Sequence, residues 1–389
     1  MGDGAGVVVI GAGPVGLAVA KALGERGIDW RILEATDHVG GNWAHGVYET
    51  AHIISSRRTT EYTDHPMPAD WPDFPSAAQM RAYFEDYART YGLLPRIRFG
   101  AEVVEVRPTG DGWSVRTADG AVEAARAVVV CNGHHWKRSL PAWTADFGGT
   151  VLHSKDYRRP EDLRGARVLV VGGGNSGCDI VSEAARVSTS ADWSLRRGYW
   201  FLPKTLLGRP TVELMQPWMP LPAQRVILKA ALRLVVGPYT SYGLPEPDHE
   251  LFEAHPTVST EVFHYLRHGR IRPRPDVASV VGRRVRFVDG AEAEFDVVVC
   301  ATGFDVVFPF LPEGMVPVRG KVAELYGGML RPEWRHLYVV GTTQPRYGLG
   351  PLVRPAAQVL ASWILLQDEL RTPLGEVLRR MGVRPARTH

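Results

Sequence analysis

The chain has little cysteine: three residues in 389, Cys131, Cys178 and Cys300, far apart and with no CxxC. That excludes a disulfide framework, a dithiol redox pair and a cysteine-based zinc site. An excess of charge of one sign is also missing. Lys and Arg number 45 against 42 Asp and Glu, a formal net charge of +3 with no basic block, so no nucleic-acid partner is expected. No apolar run reaches the roughly 18 residues of a membrane span. The first apolar strand begins by about Val7, leaving no room for a signal peptide. The expectation is a cytoplasmic protein without stable membrane insertion. GxSxG, HExxH and P-loop motifs are missing too, so hydrolase triads, zinc proteases and P-loop phosphoryl transfer have no support. His134 and His135 lack partners at metal spacing, and no metal is expected.

What is present is glycine in a repeated context. "VVVIGAGPVGLAVAKALGERGIDWRILEA" predicts a strand from Val7 to Ile10, a turn Gly11-Ala12-Gly13-Pro14-Val15-Gly16, a helix to about Arg26, and a second strand ending at Glu34. A hairpin at Asp119-Gly120 then leads into the strand Ala127 to Cys131. The programme recurs: strand Val168 to Val171, turn Gly172-Gly173-Gly174-Asn175-Ser176-Gly177, helix, strand to about Leu195, and a DG hairpin into "VVVC". A whole nucleotide-binding unit is therefore repeated. The fold class expected is α/β, with two Rossmann-like dinucleotide-binding domains, the second inserted in the first. The first would span 1–158 and 287–389, and the second 159–286, with an irregular insertion at about 200–273.

In such units the pyrophosphate rests on N–H groups at a helix N-terminus, and the residue ending the second strand reads the ribose. In the first copy that residue is Glu34, whose carboxylate accepts from ribose hydroxyls and repels a 2′-phosphate, which suits FAD or NAD. In the second copy the place falls on Arg196 and Arg197, whose forked donors suit the 2′-phosphate of NADPH. One chain could thus hold a flavin and its reductant. Asn175 and Ser176 would either touch NADP or cap the helix. In "PAQRVILKAALRLVVG", Arg225, Lys229 and Arg233 form a cationic stripe at i, i+4, i+8 backed by apolar residues, which fits either a membrane-surface helix or one packed on the second domain.

Together these motifs resemble the flavin-containing monooxygenases, the class B flavoprotein monooxygenases that include YUCCA-type and Baeyer–Villiger enzymes. "GAGPVG", Glu34 and "GGNW" are similar to the FAD turn, ribose carboxylate and GGxW segment. "FGGTVLHSKDY" fits the family identifier FxGxxxHxxxY with His153 and Tyr157 in place, "GGGNSGCDI" and "SLRRG" look like the NADPH site, and "ATGF" looks like the strand crossing back.

The resemblance implies FAD at Gly11, Gly13, Pro14, Gly16, Glu34, Gly41, Asn42, Trp43, Val103, Gly133, Gly303 and Gln344. It implies NADP at Gly172, Gly174, Asn175, Ser176, Gly177, Arg196 and Arg197. It further implies an oxidoreductase that uses NADPH and O₂ to form a C4a-hydroperoxyflavin, which oxygenates an amine nitrogen or a sulfide of a small molecule with no catalytic residue required. Baeyer–Villiger oxygenation of a ketone, and an NADPH oxidase or redox-sensing flavoprotein that oxygenates nothing, stay open. Two departures bear on these alternatives: Tyr157 stands where Baeyer–Villiger enzymes usually carry Trp, and Ile54 aligns with an asparagine that many members place near the flavin. His153 would be a proton relay or a structural hinge. Trp43 would shield the flavin from water or simply fill the core.

Overall fold

Val7–Ile10 forms β1, a strand whose four apolar side chains are all buried, as expected where both faces of a parallel sheet are covered. The computed structural model describes residues 6–110, 112–215, 218–254, 256–342 and 348–385. After the first glycine turn comes α1 (Pro14–Glu25), with Pro14 at a position whose N–H has no intrahelical partner anyway. β2 (Trp30–Leu33) then pairs parallel with β1. α2 (Ala77–Thr90), opened by a reciprocal Ser76–Gln79 capping box, leads to β3 (Ile97–Arg98). An antiparallel meander of β4 (Val103–Pro108), β5 (Trp113–Thr117) and β6 (Val122–Ala125) follows, and β7 (Ala127–Val130) returns to the other side of β1.

The second stretch begins with β8 (Thr150–His153) and β9 (Arg167–Val171), then α3 (Asn175–Val187) and β10 (Ser190–Ser194). Next come α4 (Leu221–Val235), α5 (Glu261–Arg267) and β11 (Ile271–Arg274). A second meander, β12 (Val277–Val281), β13 (Arg284–Phe287) and β14 (Glu292–Glu294), feeds β15 (Val297–Cys300). The chain closes with β16 (Leu337–Val339) and α6 (Gly350–Glu369).

These strands make two five-stranded sheets, parallel throughout, in the orders β16-β7-β1-β2-β3 and β11-β10-β9-β15-β8. The orders correspond strand for strand, with one difference. The edge strand beside β7 is the last of its unit in the chain, whereas its counterpart beside β15 comes before the glycine turn. Each meander packs its apolar face on its own sheet: Val106, Trp113 and Val115 join Val8, Val128 and Leu337 in one core, and Val285 and Phe287 join Leu169 and Val298 in the other.

The chain divides into two compact units, Met1–Gly46 with Arg57–Lys137 and Asp305–His389, and Val47–Ser56 with Arg138–Phe304. The crossings therefore fall near 137 and 304, where the sequence reading put them near 158 and 287. The reason is β8 and β15: the identifier histidine ends β8, which pairs with β15, and β15 pairs with β9, so both belong to the second sheet. The expected irregular insertion is also corrected. Residues 200–273 hold α4 and α5, and β11 beyond them completes a parallel crossover from β10, as a parallel neighbour requires.

Candidate nucleotide-binding turns

In the first unit Gly11 adopts φ +102°, a conformation closed to side chains, and its N–H donates to Leu33 O at 2.8 Å. A Cβ at Gly16 would overlap Gly11 O, so helix and strand meet only because this position is glycine. Gly41 turns past Gly13 so closely that a Cβ would lie 3.2 Å from Gly13 Cα. α1 starts at Gly13 with no side-chain cap and no acidic residue in its first turn, which leaves its N-terminal donors to a ligand or solvent.

Glu34 is buried directly after β2, and the turn itself holds its carboxylate. Oε2 accepts from Ala12 N–H at 2.7 Å, and Oε1 accepts from Thr36 N–H at 2.9 Å and Thr36 Oγ1 at 2.8 Å. A carboxylate has about four acceptor sites, so one remains for a ribose hydroxyl. Beside these, Asn42 Nδ2 donates to His135 O at 2.8 Å, Trp43 is half-buried on the short helical turn Asn42–His45, and Gly133 takes φ +66°. Val103 is different: its side chain lies in the core under the meander. Gln344 lies outside the described residues. Asp37, His38 and His45 bring one ligand atom each within 4.8 Å of one another, a grouping that sequence spacing does not announce.

The second unit repeats the geometry. Gly172 takes φ +113°, a Cβ at Gly177 would overlap Gly172 O, and α3 begins at Gly174 with no side-chain cap. The capping reading of Asn175 and Ser176 is thereby corrected. Asn175 Oδ1 instead accepts Val258 N–H at 2.7 Å, anchoring a later strand to the turn. At the end of β10, Arg196 is exposed and Arg197 is half-buried, its guanidinium 5.4 Å from the Tyr199 ring centroid. Arg197 Nε is buried and has no partner among the described residues, an unspent donor of the kind a phosphate would take.

His153 ends β8 with both ring nitrogens engaged. Nδ1 accepts Lys155 N–H at 3.1 Å, so Nε2 carries the proton that goes to Gly303 O at 2.9 Å. Burial lowers its pKa. Both contacts lie within the second unit, and no nitrogen is left to relay a proton. Gly303 is thus held in the second unit by its carbonyl. Tyr157 is buried and donates to Glu183, which also accepts from Thr50; Tyr48 donates to Asp179 at 2.7 Å. The sequence reading passed over Asp179 and Glu183, although their i, i+4 spacing puts both on one face of α3. Ile54 lies half-buried in this same stretch 47–56. The three thiols are buried, which raises their pKa values, Cys300 to about 12. At neutral pH they are not nucleophiles.

The profile of the flavin-binding monooxygenase-like family matches residues 4–365. The chain belongs to that family. Flavin-containing monooxygenase 5 of Oryctolagus cuniculus is 30% identical over 97% of this chain and 78% of its own length. The indole-3-pyruvate monooxygenase YUCCA1 of Oryza sativa subsp. japonica is 31% identical over 77% of this chain and 76% of its own. In fold, a flavin-containing monooxygenase from Stenotrophomonas maltophilia superposes with a TM-score of 0.73 at 23% identity, over 94% of this chain and 99% of that one. This flavin-binding monooxygenase-like protein is an FAD- and NADPH-dependent monooxygenase acting with O₂ on a small molecule. Among the described residues no helix is long and apolar enough to cross a membrane.

Proposed function

We propose that the first unit is a Rossmann-type FAD domain, the second a Rossmann-type NADPH domain, and the reaction the oxygenation of a soft nucleophile, an amine nitrogen or a sulfide. The observation that carries this reading is the opposite chemistry of the two matched strand ends. Glu34, tied to its own turn by Ala12 N–H, excludes a 2′-phosphate, whereas Arg197 keeps a buried donor open for one. When bound, the flavin reduced by NADPH supplies the activated oxygen.

The chain's part is binding and orientation. Gly11, Gly13, Pro14 and Gly16 bring the uncapped start of α1 to one pyrophosphate, and Gly172, Gly174 and Gly177 bring α3 to the other, with Asn175 fixed by Val258 beside it. Gly41, Asn42, Trp43 and Gly133 line the flavin side in this reading. Ile54 offers no amide, so any contact from that position is apolar. A soft nucleophile needs no protein base, which agrees with His153 being locked in one tautomer.

The test is turnover with product identification, offering a thioether, a tertiary amine and a cyclic ketone to the flavin-loaded protein with NADPH. Sulfoxide or N-oxide in proportion to NADPH consumed is the expected result. Lactone as the main product, or hydrogen peroxide alone with all three, overturns it.

A further inference from the structure

Asp37, His38 and His45 form the only group of three or more metal-ligating side chains among the described residues. No regular spacing joins them; a chain reversal does. Gly40 at φ +101° and Gly41 at φ +57° turn the backbone, with Gly40 N–H donating to Ala12 O at 3.0 Å, and the short helical turn Asn42–His45 then carries His45 back to Asp37 and His38. The two imidazoles lie face to face, ring centroids 5.2 Å apart and planes 6° from parallel. Their Nε2 atoms converge on one carboxylate oxygen, Asp37 Oδ1, at 3.9 Å from His38 and 3.3 Å from His45.

An ordinary ion pair needs one cation per carboxylate, and among the described residues Asp37 pairs with no Lys or Arg. The donor spacing suits a shared ion. Around a tetrahedral ion with bonds of about 2.0–2.1 Å, donor atoms sit about 3.3 Å apart. Asp37 and His45 already have that separation, and with every donor pair inside 4.8 Å no gap has to close by more than about 1.5 Å. All three side chains reach solvent, so this closure is a side-chain rotation with no core to displace.

We propose that Asp37, His38 and His45 bind a divalent transition-metal ion, zinc being the type case, in a three-donor site whose remaining positions go to water. Two imidazoles and one carboxylate suit zinc, nickel or copper, whereas magnesium and calcium take oxygen ligands. The three donors bracket Gly40 to Trp43, so the ion ties the start of this segment to its end. Under the reading that Gly41, Asn42 and Trp43 line the flavin, on which this last step alone rests, the ion is a clip that slows flavin release.

The experiment is equilibrium dialysis of the flavin-loaded, EDTA-treated protein against zinc chloride or magnesium chloride, read as metal per chain, with flavin release followed alongside. The expected result is one saturable zinc and no magnesium. His38→Ala and His45→Ala should each weaken zinc binding at least about tenfold, with flavin content in EDTA unchanged. The rival donors are His264 and His268 at the end of α5, with ring centroids 4.3 Å apart and no third ligand among the described residues. Zinc that His264→Ala removes and His38→Ala does not overturns the inference, as does the absence of saturable zinc. Flavin release should slow when zinc is added to wild type and not when it is added to His45→Ala. An unchanged release rate with one zinc bound overturns the clip, whereas protein that holds no flavin at all overturns the reading on which the clip rests.

Discussion

Tyr157 donates its hydroxyl to the buried carboxylate of Glu183, and the same carboxylate accepts from Thr50. One turn earlier on α3, Asp179 accepts from Tyr48. The tyrosine of the identifier motif is therefore one of three hydroxyls by which two α3 carboxylates hold the residues around 48–50 and 157. Burial raises the pKa of Glu183, outweighing the two hydroxyl donors that lower it.

The sign of the pH effect follows. A carboxyl whose folded pKa is raised stabilises the folded state in its protonated form. That contribution is whole below the ordinary value of 4.5 and is lost as pH rises through the raised value. Glu183→Gln cannot ionise and lacks the decline, so its melting temperature relative to wild type should rise from acid to neutral pH. Tyr157→Phe should destabilise by about 1–3 kcal/mol, because a buried carboxyl oxygen loses a hydrogen-bond partner. Thermal unfolding across a pH series measures both, and a difference between Glu183→Gln and wild type that does not vary with pH would refute the account.

Gly16→Ala and Gly177→Ala separate the two turns. In each, the added methyl overlaps the carbonyl of the turn's first glycine, Gly11 or Gly172, which is backbone and cannot swing aside. Overpacking of this kind costs about 1–3 kcal/mol or more. If the assignment of nucleotides is right, Gly16→Ala purifies with depleted flavin, while Gly177→Ala stays yellow and loses NADPH affinity. Absorbance spectra and NADPH titration decide, and flavin loss from Gly177→Ala would reverse the assignment.

Both turns were legible because their signal is local: a four-residue apolar strand, glycines where the backbone needs φ > 0 or close approach, and a helix beginning at once. Glu34 was legible for the same reason, since its distance from Gly11 is set by one helix and one strand. The crossings were not. Whether "VVVC" before Gly303 joins one sheet or the other depends on pairing with β9, more than a hundred residues away, and the pattern of four buried residues is the same in either sheet. Glu183 was hidden because an acidic residue on a helix ordinarily faces water, and its partners Thr50 and Tyr157 come from distant stretches. The cationic stripe of α4 was left open between a membrane-surface helix and one packed on the second domain, because what Arg225 and Lys229 meet, Leu251 O and Glu250, comes from a segment more than twenty residues on.

Arg196 and Arg197 give the sharpest test of coenzyme choice. In the proposed site their charge-assisted bonds would form only with the 2′-phosphate, and each such bond contributes about 1.5–3 kcal/mol where it is shielded from water. Arg197, half-buried over Tyr199, should matter more than the exposed Arg196. The double alanine variant should raise KM for NADPH by about one to two orders of magnitude and leave KM for NADH nearly unchanged. Steady-state kinetics with both coenzymes read this directly. Equal losses would remove the strand end from the NADPH site.

His153 makes a prediction of the opposite pH sense to Glu183. Burial lowers its pKa, and the lone pair on Nδ1 is committed to Lys155 N–H, so protonation would break that bond inside the protein. The unfolded chain takes up the proton near the ordinary value of 6.5, and the folded chain only below it. The contribution of neutral His153 is therefore present above 6.5 and is lost as pH falls from there through the lowered folded value. His153→Gln keeps an amide donor for Gly303 O but cannot titrate. It should be less stable than wild type by about 1–3 kcal/mol above that range, where wild type makes both bonds, and the gap should close as pH falls. Chemical denaturation at stepped pH measures the gap. If it widens toward acid instead, the imidazole is stabilised by its proton and the single-tautomer arrangement is wrong.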